Sequence, residues 1–74
     1  MRIPSERAIE RIKNQYPIGA RVELVFMDDT QAPPIGTFGT VEYVDDMGDI
    51  GVAWDTGSHL KIVYNIDCCK IVRE

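Results

Sequence analysis

Several kinds of residue are scarce in this chain of 74 residues, and each shortage argues against a class of protein. The two cysteines, Cys68 and Cys69, are adjacent, and neighbouring residues rarely meet disulfide geometry without strain. A disulfide-stabilised secreted domain is therefore disfavoured, and free thiols in a reducing compartment are expected. No apolar run approaches the roughly 20 residues that span a bilayer, and the N-terminal segment has no apolar signal-peptide core. We therefore expect a cytoplasmic protein with no membrane partner.

Residues that carry catalytic or metal chemistry are also few. His59 is the only histidine, and the sequence pairs no serine or cysteine nucleophile with it. Its spacing from Cys68 and Cys69 is not that of a usual zinc site. The acidic turn at residues 45–49 lacks the calcium-loop spacing of alternating acids, a glycine and a distal glutamate. We therefore expect a protein that is not an enzyme and holds no metal or other cofactor.

Positive charge is missing from the middle of the chain. Residues 1–21 carry a net charge of +3 and residues 61–74 a net charge of +1. Between them lie eight acids and no lysine or arginine: Glu23, Asp28, Asp29, Glu42, Asp45, Asp46, Asp49 and Asp55. Binding to nucleic acid needs a basic stripe that faces phosphates, so it is disfavoured and would depend on the basic N-terminal segment. Another alternative is that the acidic body inhibits a host nucleic-acid enzyme.

The only helix is predicted at about residues 4–15. Ser5 is a suitable cap, and Ile9, Ile12 and Tyr16 form one apolar stripe. Two interpretations of the basic residues off this stripe stay open. One is that they form the solvated face of a helix that packs on the rest of the domain, and the other is that they form a basic surface that binds a partner. These basic residues are Arg7, Arg11 and Lys13.

Five short strands are predicted after the helix. They cover residues 21–27, 37–44, 49–54, 59–64 and 70–72. A long loop at 28–36 precedes the second strand, and tight turns at 45–49 and 55–58 follow, with Gly48 free to take positive φ. Alternation in the first strand predicts one buried face: Val22, Leu24 and Phe26.

This succession of elements is typical of a small SH3-like barrel. We therefore predict a mainly β fold: one domain of residues 1–74, with a five-stranded barrel over about residues 20–73 behind the N-terminal helix. A partly apolar second face could pair with another copy of the chain, which makes a homo-oligomer possible. The residues of this face are Val25, Met27, Val44 and Val63.

Residues 11–58 also resemble a small family of bacterial and phage proteins that are classed as a domain of unknown function. The segments that carry the resemblance are Tyr16-Pro17 with Gly19, Met27-Asp28-Asp29, Ala32-Pro33-Pro34 with Gly36, Gly39-Thr40-Val41, and Val52 with Trp54-Asp55 and Gly57. The resemblance implies an SH3-like fold and a cytoplasmic setting in a bacterium, phage or mobile element. It implies no activity and no catalytic residues.

The function that the sequence favours is binding of a protein or peptide. SH3-like barrels commonly bind peptides with aromatic side chains beside their first long loop and acids at the rim. Trp54 is in phase with Ile50 and Val52, so the core is a strong alternative for it. The candidate partner-binding residues are Asp28, Asp29, Phe38, Asp45, Asp46, Trp54, Asp55 and Tyr64.

Overall fold

The computed structural model describes residues 3–73 and contains one helix and one antiparallel sheet of four strands. The elements in chain order are α1 (Glu6–Gln15), β1 (Arg21–Phe26), β2 (Phe38–Val44), β3 (Ile50–Trp54) and β4 (Cys68–Ile71). The strand order across the sheet is β3-β2-β1-β4, so β3 and β4 are its edges. The mainly β class is confirmed. Within residues 3–73, no helix is long and apolar enough to cross a membrane.

Helix α1 begins where the sequence predicts. The Ala8 N–H donates to the Ser5 hydroxyl oxygen at 3.1 Å, and this satisfies one of the free donors at the start of the helix. No side chain of α1 is fully buried, but Ile12 and the following Tyr16 pack against the core of the sheet. The apolar stripe therefore joins the helix to the sheet, as its spacing indicates.

The core is a single cluster beneath one face of the sheet. The indole N–H of Trp54 donates to the Leu60 carbonyl at 2.9 Å, which satisfies the one polar atom that this side chain buries. The buried residues of the cluster are Val22, Leu24, Val41, Ile50, Val52, Trp54, Ile62 and Cys69.

The prediction of five strands is wrong, because residues 59–64 form no strand. Their one backbone bridge to β3 joins Ile50 and Ile62. On one side of Ile62, the Leu60 carbonyl accepts from the indole of Trp54. On the other side, the Tyr64 N–H donates to the Asp49 carboxylate at 2.9 Å. These backbone groups bond to side chains rather than to a neighbouring strand, so the ladder does not extend.

Closure into a barrel is also wrong for the part of the chain that the structure describes. Strand β4 pairs with β1, and β3 pairs with β2, which leaves an open sheet. A turn at residues 64–66 occupies the stretch between Ile62 and β4, so the expected fourth strand does not connect the two edges. The last strand begins at Cys68 rather than at residue 70.

A β-bulge overturns the expected phase at the end of β1. The register against β4 shifts between Leu24 and Phe26, so two residues of β1 occupy the space of one. Val22 and Leu24 are buried as predicted, but Phe26 is 48% exposed. Met27, which alternation assigns to the outer face, packs against the core instead. Val44, another residue predicted for the apolar second face, also packs against the core.

Two glycines allow the sheet to pack closely. A Cβ at Gly39 would lie 2.5 Å from Cγ1 of Val52 and 2.8 Å from the Trp54 ring. A Cβ at Gly51 in β3 would overlap the ring of Tyr43, its partner in β2. The side chains of Val52 and Trp54 therefore approach the backbone of Gly39 closely, which a residue with a Cβ would prevent. Gly48 has a φ of 80°, as the tight turn requires.

Candidate functional site

Four large apolar side chains form an exposed patch at the end of β1. Val25 is 40% exposed, Phe26 48%, Ile35 72% and Phe38 43%. The loop that carries Ile35 lies beside β1, because the Gly36 N–H donates to the Leu24 carbonyl at 2.8 Å. Glu23 and Phe38 are direct partners across β1 and β2. We call Val25, Phe26, Ile35 and Phe38 the β1 surface.

Local features of the sequence hold the β1 surface open. The bulge leaves Val25 and Phe26 exposed in succession, where regular alternation would bury one of them. The loop that carries Ile35 is fixed by Pro33, which is buried, and by the Thr37 hydroxyl, which donates to the Pro34 carbonyl at 2.6 Å. These apolar side chains therefore lie on an ordered backbone.

Acidic residues border the β1 surface on the side of the 28–36 loop. Asp28 and Asp29 follow Phe26 within three residues, and both are exposed. The Asp29 carboxylate accepts from the Gln31 N–H at 2.7 Å, and the Asp28 N–H donates to the Asp67 carboxylate at 2.9 Å. None of the ion pairs among residues 3–73 involves Asp28 or Asp29. Their negative charge is therefore available to a cationic group.

Four of the other six acids of the central segment are paired with bases from outside it or with His59. Asp55 accepts two hydrogen bonds from Arg21, at 2.9 and 2.6 Å. This contact lowers the pKa of Asp55 below its usual value of 3.8. The three further pairs are Asp45 with Lys61 at 3.1 Å, Glu42 with His59 at 3.3 Å and Glu23 with Lys70 at 3.9 Å. Basic residues therefore neutralise part of the negative charge that the sequence shows in the central segment.

The predicted site residues do not form one site. Asp28 and Asp29 lie just after the end of β1, whereas Phe38 pairs with Glu23 within the strand. The Asp55 N–H donates to the Phe38 carbonyl at 2.9 Å. Trp54 is only 3% exposed, so its ring lies in the core and not in a surface groove.

The remaining predicted site residues lie around the turn between β2 and β3. Asp45 accepts from the backbone N–H groups of that turn, and Asp46 lies in a shallow groove beside Lys13 of α1. Tyr64 is half-buried and packs on the other side of the turn, close to Gly48. These residues shape the turn and are separate from the β1 surface.

Phe26 and Ile35 belong to the patch but were absent from the predicted site. Phe26 was missed because alternation assigns it to the core, and only the register shift reveals its exposure. Ile35 sits between two prolines and a glycine, a context that offers an apolar residue no regular element to bury it. An isolated isoleucine in such a loop is the one signal that could have identified it.

The two cysteines differ in their surroundings. Cys69 is buried in the core, and this burial raises the pKa of its thiol to about 12, so the thiolate is scarce. Cys68 is exposed and pairs with Phe26 across β1 and β4. The Tyr16 hydroxyl donates to the Cys69 carbonyl at 3.2 Å, and burial raises the pKa of this tyrosine. Residues 3–73 contain no group of three potential metal ligands.

Comparison with known proteins gives one match. A family model described as a domain of unknown function, DUF4314, matches residues 5–72, a range that contains α1 and all four strands. No curated protein and no solved structure matches the chain significantly.

Proposed function

We propose that this chain, which belongs to the DUF4314 family, is a non-enzymatic binding module for a protein or peptide partner. The observation that carries the proposal is the β1 surface, where four large apolar side chains are 40–72% exposed on an ordered backbone. Exposed apolar patches that are bordered by polar residues are typical of interaction sites. A partner that covers these side chains gains the free energy of removing them from water.

The partner that fits best is a peptide segment with apolar anchors next to lysine or arginine. The apolar anchors would cover Phe38 and Ile35, and a cation would approach Asp28 and Asp29, which no base among residues 3–73 neutralises. Such complementary charges mainly raise the rate of association and the specificity. Apolar contact therefore supplies most of the affinity in this proposal, and the acids select the ligand.

The proposal includes an SH3-like relationship and a bacterial or phage origin. The succession of elements supports the relationship: a long loop between β1 and β2, two short turns, and a single turn before β4. The bridge of Ile62 to the edge of β3 occurs where such a domain has its fourth strand. The resemblance of residues 11–58 supports the origin, and the free thiols support a cytoplasmic setting.

Selection from a random peptide library tests this function. A library of displayed peptides would be selected on the immobilised protein, and the affinities of the enriched peptides would be measured. We expect enriched sequences that combine apolar and basic residues. Changing Phe38→Ser or Ile35→Ser should weaken binding about tenfold or more, equivalent to about 1.4 kcal/mol. Asp28→Asn with Asp29→Asn should slow association, and added salt should reduce this difference.

Ile18→Ser is the matched control, because Ile18 is 78% exposed but lies in a groove beside α1. It should leave the affinity unchanged. Thermal unfolding of each variant separates loss of binding from loss of folding. The proposal is wrong if no peptide is enriched, or if the enriched peptides bind the Phe38 and Ile35 variants as well as they bind the original protein.

The two alternatives from the charge pattern receive less support. Three of the eight central acids are in ion pairs with lysine or arginine, so less negative charge is free to imitate a nucleic acid. The basic residues Arg7 and Arg11 are exposed on α1 among acids of the same helix, Glu6 and Glu10. Salt-dependent retardation of DNA or RNA that is lost in an Arg7→Glu, Arg11→Glu variant would favour nucleic-acid binding.

A further inference from the structure

The outer edge of β4 presents backbone groups that no strand among residues 3–73 uses. Strand β4 is an edge of the sheet and pairs with β1. The Val72 N–H donates to the Arg21 carbonyl of β1 at 2.9 Å, whereas the Cys69 carbonyl accepts from the Tyr16 hydroxyl on the opposite side. Backbone groups of alternate residues point to opposite edges of a strand. The N–H and C=O of Ile71, two residues after Cys69, therefore face away from β1.

A groove runs beside this edge. It lies between the end of α1 and β4, has a volume of about 610 Å³, and is bordered by Gln15, Tyr16, Pro17 and Ile71 among others. Tyr16 closes the end of the groove at Cys69 by its hydrogen bond, so the open part begins at Ile71. Edge strands with free backbone groups are templates for pairing with another segment.

Among residues 3–73, the charged residues that line the groove are Lys70 and Arg73, and both are cations. Lys70 also reaches Glu23 on the outer face at 3.9 Å, which is a long and weak ion pair. The local charge is therefore opposite to that of the 28–36 loop, where Asp28 and Asp29 border the β1 surface. A ligand for this groove should carry negative charge.

We infer that the groove binds an extended acidic peptide segment, which adds to β4 as a further strand. The segment exchanges two hydrogen bonds with the N–H and C=O of Ile71, and its carboxylates approach Lys70 and Arg73. This mode derives affinity from main-chain pairing and specificity from side chains. Pairing is restricted to the stretch after Cys69, because Tyr16 occupies the edge there. The site is distinct from the β1 surface and does not depend on the proposed function.

A second copy of the chain is a poorer occupant than an acidic peptide. Two β4 edges that pair antiparallel about Ile71 would bring Lys70 and Arg73 of one copy close to the same residues of the other copy. In this register the Lys70 side chains of the two copies are diagonal neighbours, within reach of each other, and their like charges repel. Charge complementarity thus selects a different molecule.

The experiment is an NMR titration of the full chain with synthetic probe peptides. The acidic probe is acetyl-Thr-Glu-Val-Glu-Val-Thr-amide, a second probe has lysine in place of glutamate, and a third has the central valine replaced by proline. We expect the acidic probe to shift the Ile71 amide signal and to slow its hydrogen exchange about tenfold or more at saturation. The proline probe should have a much weaker effect, because proline cannot donate to a ladder.

Paired variants define the charge requirement. Lys70→Glu with Arg73→Glu should abolish binding of the acidic probe and create binding of the lysine probe. Asp28→Asn with Asp29→Asn is the matched control and should leave the acidic probe unaffected, so this test can fail separately from that of the β1 surface. The amide spectrum of each variant without probe reports whether it folds.

Three results would overturn the inference. The first is that the Ile71 amide does not respond to the acidic probe. The second is that the response appears at Val25, Ile35 and Phe38 instead, or is equal for the lysine probe. The third is that exchange of the Ile71 amide slows when the protein alone is concentrated, because this would show a second copy at the edge.

Discussion

Asp45 shows how much a single side chain can organise in a domain of this size. One carboxylate oxygen accepts from the N–H groups of Met47 and Asp49, both at 3.0 Å, and the other accepts from Lys61 at 3.1 Å. The side chain therefore fixes the turn between β2 and β3 and ties residue 61 to it. The sequence predicts the turn and places Asp45 among the candidate partner-binding residues. In the structure, the Asp45 carboxylate instead bonds to groups of the fold itself.

Replacement of Asp45 by alanine should destabilise the protein by about 1–2 kcal/mol, because two backbone donors and one ammonium group lose their acceptor. Asp45→Asn keeps an acceptor for the turn, so it should cost less than the alanine change. Asp46→Ala at the exposed neighbouring position is the control and should stay within about 0.5 kcal/mol of the original protein. Urea unfolding measures all three, and equal effects at positions 45 and 46 would contradict this role.

Asp45 should also contribute to the pH dependence of stability. Burial raises the pKa of Asp45, but the bonds from Lys61, Asp49 and Met47 lower it by more, so the folded pKa lies below the usual 3.8. A depressed pKa stabilises the fold above the unfolded pKa of about 3.9, and this stabilisation is lost as the pH falls through the folded pKa. The stability difference between the original protein and Asp45→Asn should therefore shrink in acid. Unfolding at a series of pH values tests this, and a constant difference would contradict it.

The register between paired strands determines which side chains are exposed in this protein. The bulge in β1 exposes Phe26 and turns Met27 to the core, and a second register shift lies between Val41 and Tyr43 in β2. Each shift changes the phase of the residues that follow it, so one inserted residue reverses the faces of a strand. The first of these shifts accounts for the exposure of Phe26 in the candidate site.

The contact between Tyr43 and Gly51 provides a test at this scale. Gly51→Ala should destabilise the protein by about 1–3 kcal/mol, because the new methyl group overlaps the Tyr43 ring. In a Tyr43→Ala background the same change should be neutral or stabilising, because alanine orders a strand better than glycine. A double-mutant cycle from urea unfolding should therefore give a coupling of about 0.5–3 kcal/mol.

Gly39→Ala is the control for this cycle, since its methyl group would meet Val52 and Trp54 rather than Tyr43. Its effect should be the same with and without Tyr43. Additive effects of Gly51→Ala and Tyr43→Ala would show that the ring does not occupy the space above Gly51.

The whole molecule has one core, and helix and sheet share it. Ile12 and Tyr16 pack against the same cluster that contains Val22 and Trp54. Domains with a single core usually unfold in one cooperative transition. The helix should therefore not unfold independently, although none of its own side chains is fully buried.

We expect the fluorescence of Trp54, the only tryptophan, and far-ultraviolet circular dichroism to give coincident unfolding curves. Ile12→Ala should decrease the free energy of unfolding by about 1–2 kcal/mol, equally by both probes. This loss is smaller than for a fully buried isoleucine, because Ile12 is only half-buried. Arg11→Ala on the exposed face is the control. A separate early transition in the dichroism would show that α1 unfolds alone.

The sequence by itself determined the features that depend on neighbouring residues. The helix with its Ser5 cap, the strands β1, β2 and β3 to within about two residues, and the turn at Gly48 all follow from local patterns and conformational preferences. The membership of a family of unknown function also agrees with the resemblance of residues 11–58.

Only the tertiary structure decided which side chains face outward and which charges remain free. The bulge at Leu24–Phe26 depends on pairing with β4, more than 40 residues later in the chain. The loss of the expected fourth strand depends on the bond that Trp54 donates and the bond that the Asp49 carboxylate accepts. The pairing of Asp55 depends on Arg21. Sequence periodicity assumes regular ladders and nearby partners, but side chains distant in sequence compete for these backbone and charged groups. Pairing with β4 exposes Phe26 in the β1 surface, and no base among the described residues pairs with Asp28 or Asp29.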